Sequence, residues 1–392
     1  MVSLSPTDRR GKPTISVSHT DVIRCVMWNP VVLHHNNLSV SSSEVVSLLA
    51  RKKIISITTR NKRGMTALHL AVLADNIKAL KIFFSEPQIG PTVFDNVQRT
   101  PLHYAALFGR TEAAGLLLAA GATNEIRDQH NVTAAHYAAQ ANHFCTFRTI
   151  LKTASDVVDN ENRTCFMWAV IAQSEETVSA MLRDAGFYVD RAHRDRYKYS
   201  ALHLAALGGN KNICRMLVDA LFDIRDRDTF EATPEHLAAS EGHLDALTIF
   251  AFQRGGVQLP ELDVKRRSPF FYACLAGQAH AVRRMLEEQR SNIDSRHVDR
   301  EGFTALHCAV LAGSLQCVEL LVKNNFNVFA EDNEKRTPAK LAREIGKNDI
   351  ADYLITVVMN SAPVGAASFS IVTASSLSSS PTPKTITHDE KF

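Results

Sequence analysis

The sequence predicts an all-α solenoid in which short pairs of helices stack one upon another. Three kinds of residue recur together in nine successive segments, at intervals of 31 to 36 residues. Each segment has a Ser or Thr, an Asn or Asp five residues before it, and in eight of the nine a residue tolerant of positive φ nine residues after it. A period of this length is typical of repeat proteins, whose units bury their apolar faces only against their neighbours.

Each unit is expected to open with a turn that leads into a helix. Asn and Asp side chains hydrogen-bond the backbone of a turn, and a Ser or Thr hydroxyl accepts a backbone N–H at the start of a helix. The turn residues are Asn61, Asp95, Asp128, Asp159, Asp195, Asp228, Asp263, Asp299 and Asp332. The hydroxyls that mark the helix starts are Thr66, Thr100, Thr133, Thr164, Ser200, Thr233, Ser268, Thr304 and Thr337.

The first helix of each unit is expected to stop after about three turns, where a left-handed residue interrupts it. A second amphipathic run follows, as in residues 213–218 and 315–321, with apolar residues at helical spacing. Leu217 and Leu320 are therefore expected in the core, where truncation to Ala lowers stability by about 2–5 kcal/mol.

The segments TALH at Thr66, TPLH at Thr100 and TALH at Thr304 resemble the signature of the ankyrin-repeat family. The resemblance covers nine repeats over residues 61–358 and implies a β-turn and two helices in each. Residues 1–42 are expected to be irregular or disordered, 43–60 to form a degenerate capping helix, and 359–392 to form a disordered Ser/Thr-rich tail. Repeat nine is expected to cap the other end through charges at Lys340, Arg343, Glu344 and Lys347.

Charge and composition argue against several classes of function. The chain has 44 basic and 41 acidic residues, so no strong field favours a nucleic acid partner. No apolar run is long and unbroken enough for a membrane span. The seven cysteines are scattered, without a C-x-x-C pair or a secretory leader, which indicates a reducing compartment and a cytoplasmic location.

Six histidines occupy one slot, three residues after the capping hydroxyl, where a ring nitrogen can bond the neighbouring turn. They are His69, His103, His136, His203, His236 and His307. Metal ligands and catalytic groups converge on a point, whereas residues repeated along a solenoid are spread out. We therefore expect no catalytic residue, metal site, cofactor or small-molecule substrate.

The resemblance to ankyrin proteins implies that partner proteins bind the turn tips and the exposed flank of the first helices. Arginine and aromatic residues, which dominate interface hot spots, occupy many of these positions. The candidate partner-binding residues are Arg99, Phe108, Arg163, Arg196, Tyr197, Tyr199, Phe230, Arg267, Phe303 and Arg336. Tyr197, Tyr199 and Phe230 are the strongest candidates. In the alternative interpretation, these large residues only shield neighbouring turns.

Repeats two to five closely resemble the ankyrin domain of the inversin family, through QRTPLHYAALFGR, TAAHYAAQAN, RTCFMWA and SALHLAALGG. This resemblance implies a scaffold in the cilium that organises nephrocystin-class ciliary proteins and takes part in Wnt signalling. The chain has no sequence like the calmodulin-binding IQ motif of that family, so calmodulin binding is not implied. The alternative is a general cytoplasmic ankyrin adaptor that recruits a kinase or ubiquitin machinery.

Overall fold

A computed structural model describes residues 3–5, 14–16, 60–85, 90–151, 157–184, 187–253, 261–288 and 293–361. Within these residues 18 helices form nine consecutive pairs, which confirms the predicted all-α solenoid. The predicted capping helix in 43–60 falls almost wholly outside the described residues, and so does the predicted tail beyond residue 361.

Each repeat contributes an odd-numbered first helix and an even-numbered second helix. First helices pack on first helices of the neighbouring repeats, and second helices on second helices. The helices are α1 Ala67–Leu73, α2 Ile77–Ser85, α3 Pro101–Leu107, α4 Thr111–Ala119, α5 Ala134–Gln140, α6 Phe144–Ile150, α7 Cys165–Ile171, α8 Glu175–Arg183, α9 Ala201–Gly208, α10 Lys211–Asp219, α11 Pro234–Glu241, α12 Leu244–Gln253, α13 Pro269–Leu275, α14 Ala279–Glu288, α15 Ala305–Ala312, α16 Leu315–Lys323, α17 Pro338–Glu344 and α18 Asn348–Ser361.

The two ends of the chain differ from expectation in detail. Strands β1 Ser3–Ser5 and β2 Thr14–Ser16 pair antiparallel, with Leu4 opposite Ile15, inside the segment expected to be irregular or disordered. An apolar residue between two polar ones is the period-two pattern of a strand, but three residues are too few for the sequence to indicate one. The last helix runs three residues past the expected boundary at 358, up to Ser361.

The turn that opens each repeat is held by its Asx side chain. In all nine repeats the Oδ1 atom accepts the backbone N–H groups two and four residues later, as Asp195 does from Tyr197 and Tyr199, both at 2.8 Å. The residue three positions after the Asx has positive φ in every repeat, although only Gly64 and Gly302 are glycines. The sequence did not reveal this position, because only two of its nine residues are glycines and five of the others are Gln, Lys, Glu or Arg, which rarely adopt positive φ.

The expected left-handed residue ends the first helix in all nine repeats. Even Gln173, which the sequence did not mark as tolerant, has a φ of 58°. At Gly209 the backbone also passes close to the next repeat, since a Cβ atom there would lie 2.3 Å from Nδ1 of His243. Glycine is therefore favoured at Gly209 by conformation, and a larger residue there would displace the His243 ring.

The repeated histidines join each repeat to the next, as predicted. Nδ1 accepts the backbone N–H of the capping residue, so Nε2 carries the proton and donates it to a carbonyl of the following repeat. These Nε2–O distances are 3.0 to 3.3 Å at all six positions. Burial lowers the pKa of these rings, to about 4 for His69, His136, His203 and His236, which keeps them neutral.

Repeats four and seven lack the slot histidine, and a different histidine takes over the link. Met167 and Phe271 occupy the slot there. In the repeat that follows each, His193 or His297 stands seven residues before the capping hydroxyl and bonds back to the preceding turn. The bonds join His193 Nε2 to the Asn162 carbonyl at 2.7 Å, and His297 Nε2 to the Arg266 carbonyl at 2.6 Å. This compensation was not predicted from the sequence, although a histidine stands at this position in no other repeat.

The core follows the predicted second helices, with one correction. Leu217 is fully buried as expected, but Leu320 is only half-buried and its neighbour Leu321 fills the core position instead. Leu321 lies four residues after the buried Cys317, on the same face of α16, and Leu320 lies beside that face. The predicted charges of repeat nine are exposed, as a cap requires.

Candidate partner-binding surface

The four residues before each capping hydroxyl form the tip of that repeat, and neighbouring tips are joined edge to edge. A backbone N–H of one tip donates to a carbonyl of the preceding tip at seven of the eight junctions in the described residues. Thr229 donates to Tyr197 at 3.2 Å, and Val264 donates to Phe230 at 2.9 Å. Side chains at equivalent tip positions therefore stand next to one another along a continuous row.

Four of the predicted binding residues are arginines tied to their own turn. Arg99, Arg163, Arg267 and Arg336 each place Nε 2.8 to 3.1 Å from Oδ2 of the aspartate that opens the same repeat. Their side chains are only 18–30% exposed. We call the tips that carry these four arginines the tied tips, because a charged and half-buried hydrogen bond fixes each arginine to the aspartate of its own turn.

An aromatic residue completes most tied tips. Tyr104 and Trp168 each donate to Oδ2 of their repeat's aspartate at 2.8 Å, and Tyr272 donates at 3.0 Å. The arginine also lies over the same ring, as Arg99 does at 5.0 Å from the centre of Tyr104. Aspartate, arginine four residues later and an aromatic nine residues later form a recurring motif that the sequence analysis did not connect.

The electrostatics of the tied aspartates follow from these contacts. Burial alone would raise the pKa of Asp95 and Asp159, but hydrogen bonds from the backbone, from the ring and from the arginine outweigh it. The net effect lowers both pKa values, so these carboxylates are fully ionised near neutral pH. The arginine and aspartate therefore act as one structural unit.

Repeats one, three, five, six and eight have no arginine at this position. Repeat one opens with Asn61 instead of an aspartate, and in repeat three Tyr137 still donates to Oδ2 of Asp128 at 2.7 Å. We call the tips of repeats five, six and eight, where Tyr199, Ala232 and Phe303 stand at this position, the untied tips. Burial dominates in them and raises the pKa of Asp195 and Asp228, and raises that of Asp299 to about 6. Their aspartates still hold the turn through Oδ1, so the turn itself is unchanged.

Two of the three strongest candidates lie exposed on neighbouring untied tips. Tyr197 is 47% exposed and Phe230 is 45% exposed, and they occupy the same position in repeats five and six. The guanidinium of Arg196 lies 5.5 Å from the centre of the Tyr197 ring. Tyr197, Phe230 and Arg196 are therefore brought together on one surface, which we call the aromatic tip pair with its arginine.

The other predicted residues take different places. Tyr199 and Phe303 are half-buried, each with its ring 5.7 Å from the slot histidine of its own repeat, His203 or His307. Phe108 is exposed but caps the far end of α3, away from the tips. The structure therefore separates the predicted set into exposed, half-buried and tied residues.

The remaining chemistry of the described residues is that of a core. They contain no group of three or more His, Cys, Asp or Glu side chains that could hold a metal ion. Five of the six described cysteines are buried, and burial raises the pKa of the Cys214 thiol to about 12, which leaves it protonated and weakly nucleophilic. In the part of the chain described here, no helix is both long and apolar enough to cross a lipid bilayer.

Comparison with known proteins agrees with this architecture. Synphilin-1 of Mus musculus is 27% identical over 189 residues, which are 47% of this chain and 19% of that protein. Neurogenic locus notch homolog protein 1 of Homo sapiens is 29% identical over 174 residues, 44% of this chain and 7% of that protein. Protein phosphatase 1 regulatory subunit 27 of Mus musculus is 38% identical over 81 residues, 21% of this chain and 51% of that protein. The chain thus spans less than two thirds of each of these relatives.

A family model described as ankyrin repeats in three copies matches this chain in five overlapping stretches, over residues 38–128, 102–193, 187–259, 236–332 and 270–365. These stretches together cover far more than half of the 392 residues. They include all nine turn and helix-pair units seen in the structure. The chain therefore belongs to the ankyrin-repeat family.

Proposed function

We propose that this protein is a non-catalytic scaffold that binds other proteins through the tips of repeats five and six. Ankyrin repeats, which this chain contains, indicate protein–protein interaction. The observation that supports this particular surface is the exposure of Tyr197 and Phe230 side by side on joined tips. Exposed aromatic side chains held by a rigid backbone lose little entropy on binding, which suits them to anchor a partner.

The experiment compares proteins captured by the full chain and by two double variants. Tyr197→Ala with Phe230→Ala removes the aromatic tip pair. Tyr188→Ala with Phe252→Ala is the matched control, because it removes two exposed aromatic rings that lie outside the tips. We omit Tyr199 from the variant, since its ring packs on His203 and its loss would also lower stability.

We expect at least one protein captured by the wild-type chain to be reduced 10-fold or more by the tip variant and unchanged by the control. A double hot-spot loss of this kind corresponds to about 1.4 kcal/mol or more of binding free energy. The melting temperature should differ little between the two variants. Equal capture by the wild-type chain and by both double variants would contradict the proposed surface.

A finer proposal concerns the cellular role. The sequence of repeats two to five supports an inversin-like scaffold that organises ciliary signalling complexes with nephrocystin-class partners. The alternative is a general cytoplasmic adaptor that recruits a kinase or ubiquitin machinery. A tagged copy expressed in ciliated cells separates the two, because an inversin-like scaffold concentrates in the cilium, whereas a copy that stays out of the cilium favours the adaptor.

A further inference from the structure

We infer that the tip of repeat five, together with Phe230, binds an acidic peptide segment of a partner protein. This inference rests on the proposed function and names the chemistry of the partner at the same surface. Its basis is a set of three exposed cations in the segment that contains Tyr197, namely Arg191, Arg196 and Lys198. The sequence of this stretch, RAHRDRYKY, places two tyrosines within a strongly basic segment at residues 191–199.

These three cations have no ion-pair partner within 4.0 Å among the described residues, although other exposed cations do. Lys211 pairs with Asp245 at 2.9 Å, and Lys265 pairs with Glu301 at 3.4 Å. Arg194, which lies between the exposed cations in sequence, is itself bound to Asp226. Its ion pair helps to fix the segment while the neighbouring cations point into solvent.

The acids near this tip do not neutralise it. Asp195 is buried beneath the tip and uses Oδ1 to hold the turn. Glu231 pairs with Arg227 at 3.8 Å. Glu161 meets the tip through its carbonyl, which accepts the backbone N–H of Arg196 at 2.9 Å, and its carboxylate lies beyond 4.0 Å from any cation of the described chain. Asp190 directly precedes Arg191, and its Oδ1 accepts the backbone N–H of Ala192 at 2.8 Å. Three cations therefore stand near two acids, Glu161 and Asp190, with which they form no ion pair within 4.0 Å in the described residues.

Other tips that carry basic residues lack an exposed aromatic residue. Repeat seven carries Lys265 and Arg266 and repeat eight carries Arg300, but no exposed aromatic residue stands in either tip. Repeat five alone combines unpaired cations with an exposed ring, and repeat six extends it with Phe230. A ligand that satisfies both parts has carboxylates for the cations and apolar side chains for the two rings.

A peptide fits this arrangement better than a nucleic acid or a membrane surface does. Nucleic acid binding relies on a track of phosphate contacts, and its affinity rises with the number of cations along that track. Here Arg196 and Lys198 lie in one tip and Arg191 lies in the segment that leads into it, with Glu161 in the preceding tip and Glu231 in the following one. A peptide can place single carboxylates between these acids, whereas a continuous row of phosphates would be repelled at both edges.

The test selects ligands from a displayed library of random 12-residue peptides on the full-length wild-type protein. Enriched peptides should carry a clear excess of Asp and Glu together with at least one large apolar residue. The affinity of the most enriched peptide, labelled with fluorescein, is then measured by fluorescence polarisation at two salt concentrations. A 20-nucleotide oligouridine and vesicles with anionic lipid serve as the competing probes.

Two variants with the same change in net charge give the decisive comparison. Arg191→Glu, Arg196→Glu and Lys198→Glu together should weaken peptide binding at least 30-fold. Lys335→Glu, Arg343→Glu and Lys347→Glu together reverse three exposed charges of repeat nine and should weaken it less than 3-fold. Lys335 matches Lys198 closely, because both have positive φ at the same position of their tips. Circular dichroism checks that both variants keep their helices.

Several outcomes would overturn the inference. One is an enriched peptide set without excess acid, and another is equal weakening by the two charge variants. A third is tighter binding of the oligouridine or the vesicles than of any peptide. If any of these occurs while Tyr197→Ala with Phe230→Ala still reduces capture of a protein 10-fold or more, the proposed function stands and only the acidic nature of its partner is wrong.

Discussion

Tied and untied tips share one backbone turn but use its aspartate differently. In the tied tip of repeat four, Oδ2 of Asp159 receives bonds from Arg163 at 2.9 Å and from Trp168 at 2.8 Å. In the untied tip of repeat five, Oδ1 of Asp195 makes the same two turn bonds, but a tyrosine replaces the arginine. The two hydrogen bonds to Oδ1 are therefore enough to hold the backbone turn. Only where an arginine donates to Oδ2 is the side chain before the capping hydroxyl fixed to the turn.

This difference changes how the arginines should be interpreted. Because arginine and aromatic residues are both enriched in interface hot spots, residue type alone predicts that both bind a partner. The structure gives the four tied arginines an internal role and leaves Tyr197 and Phe230 without one. We therefore place the proposed binding surface on the untied tips of repeats five and six, and treat the tied tips as parts of the framework.

All four tied tips and the untied tip of repeat six accept a hydrogen bond from a neutral slot histidine, and loss of this support in acid should have the largest effect. The pKa of each slot histidine is lower in the fold than in the unfolded chain, to about 4 for four of them. Their contribution to stability is therefore complete above about pH 6.5 and is lost as the pH falls towards 4, by up to about 1.4 kcal/mol per pH unit for each ring. The raised pKa of Asp299 acts in the opposite sense over the range from about 6 down to its unfolded value.

Urea denaturation followed by circular dichroism at pH 7.5, 6.0 and 5.0 measures this loss. His203→Gln is the matched variant, because Gln can still donate to the Ala232 carbonyl but does not titrate. As the pH is lowered from 7.5 to 5.0, we expect the free energy of unfolding of this variant to fall less steeply than that of the wild type. A stability that is flat between pH 7.5 and 5.0 would contradict the account of the histidines.

Removing the charge of one aspartate should separate the two kinds of tip. Asp159→Asn keeps an oxygen for the turn but replaces Oδ2 by a donor that faces Arg163, so it should destabilise the protein by about 1.5–3 kcal/mol. Asp195→Asn removes no side-chain bond and should change stability by less than about 0.5 kcal/mol. The free energies of unfolding of both variants are compared with that of the wild type at pH 7.5. An equal loss of stability in the two variants would contradict the division into tied and untied tips.

Adding a tie should convert an untied tip. In Tyr199→Arg the new guanidinium can reach Oδ2 of Asp195, as Arg163 reaches that of Asp159. We expect the pKa of Asp195 to drop from its raised value to below the ordinary range, as measured by carboxyl NMR shifts. Stability should rise by about 0.5–1 kcal/mol, reduced by the packing that Tyr199 loses on His203. An unchanged pKa would show that the arginine does not cause the difference.

A smaller effect is expected where the tip backbone has positive φ. Lys198 has a φ of 62° in repeat five, whereas Gly302 has 80° at the same position of repeat eight. Lys198→Gly should relieve the strain of a left-handed lysine and, after the entropy that glycine adds to the unfolded chain, stabilise the protein by about 0.5 kcal/mol. In a thermal melt Gly302→Lys should shift the midpoint down, and by a larger amount, because a Cβ atom there would also lie 2.7 Å from the backbone nitrogen of Asn333.

Much of the fold was predictable because each marker has a local physical cause. The Asx, hydroxyl and left-handed residues recur with the repeat, so their spacing alone predicted nine helix pairs. The links of His193 and His297 were missed because they replace an absent marker in the preceding repeat. The tied arginines were missed because the pairing of Arg99 with Asp95 depends on side-chain rotamers, which a spacing of four residues in a turn does not determine.

The most direct test of the account places a photo-crosslinking amino acid at one equivalent position of four tips. Positions 197 and 230 lie on the untied tips of repeats five and six, and positions 97 and 334 lie on the tied tips of repeats two and nine. We predict that crosslinked partner proteins form in cells from positions 197 and 230 and stay at background from 97 and 334. Equal crosslinking from all four positions, or crosslinking only from the tied tips, would contradict the account.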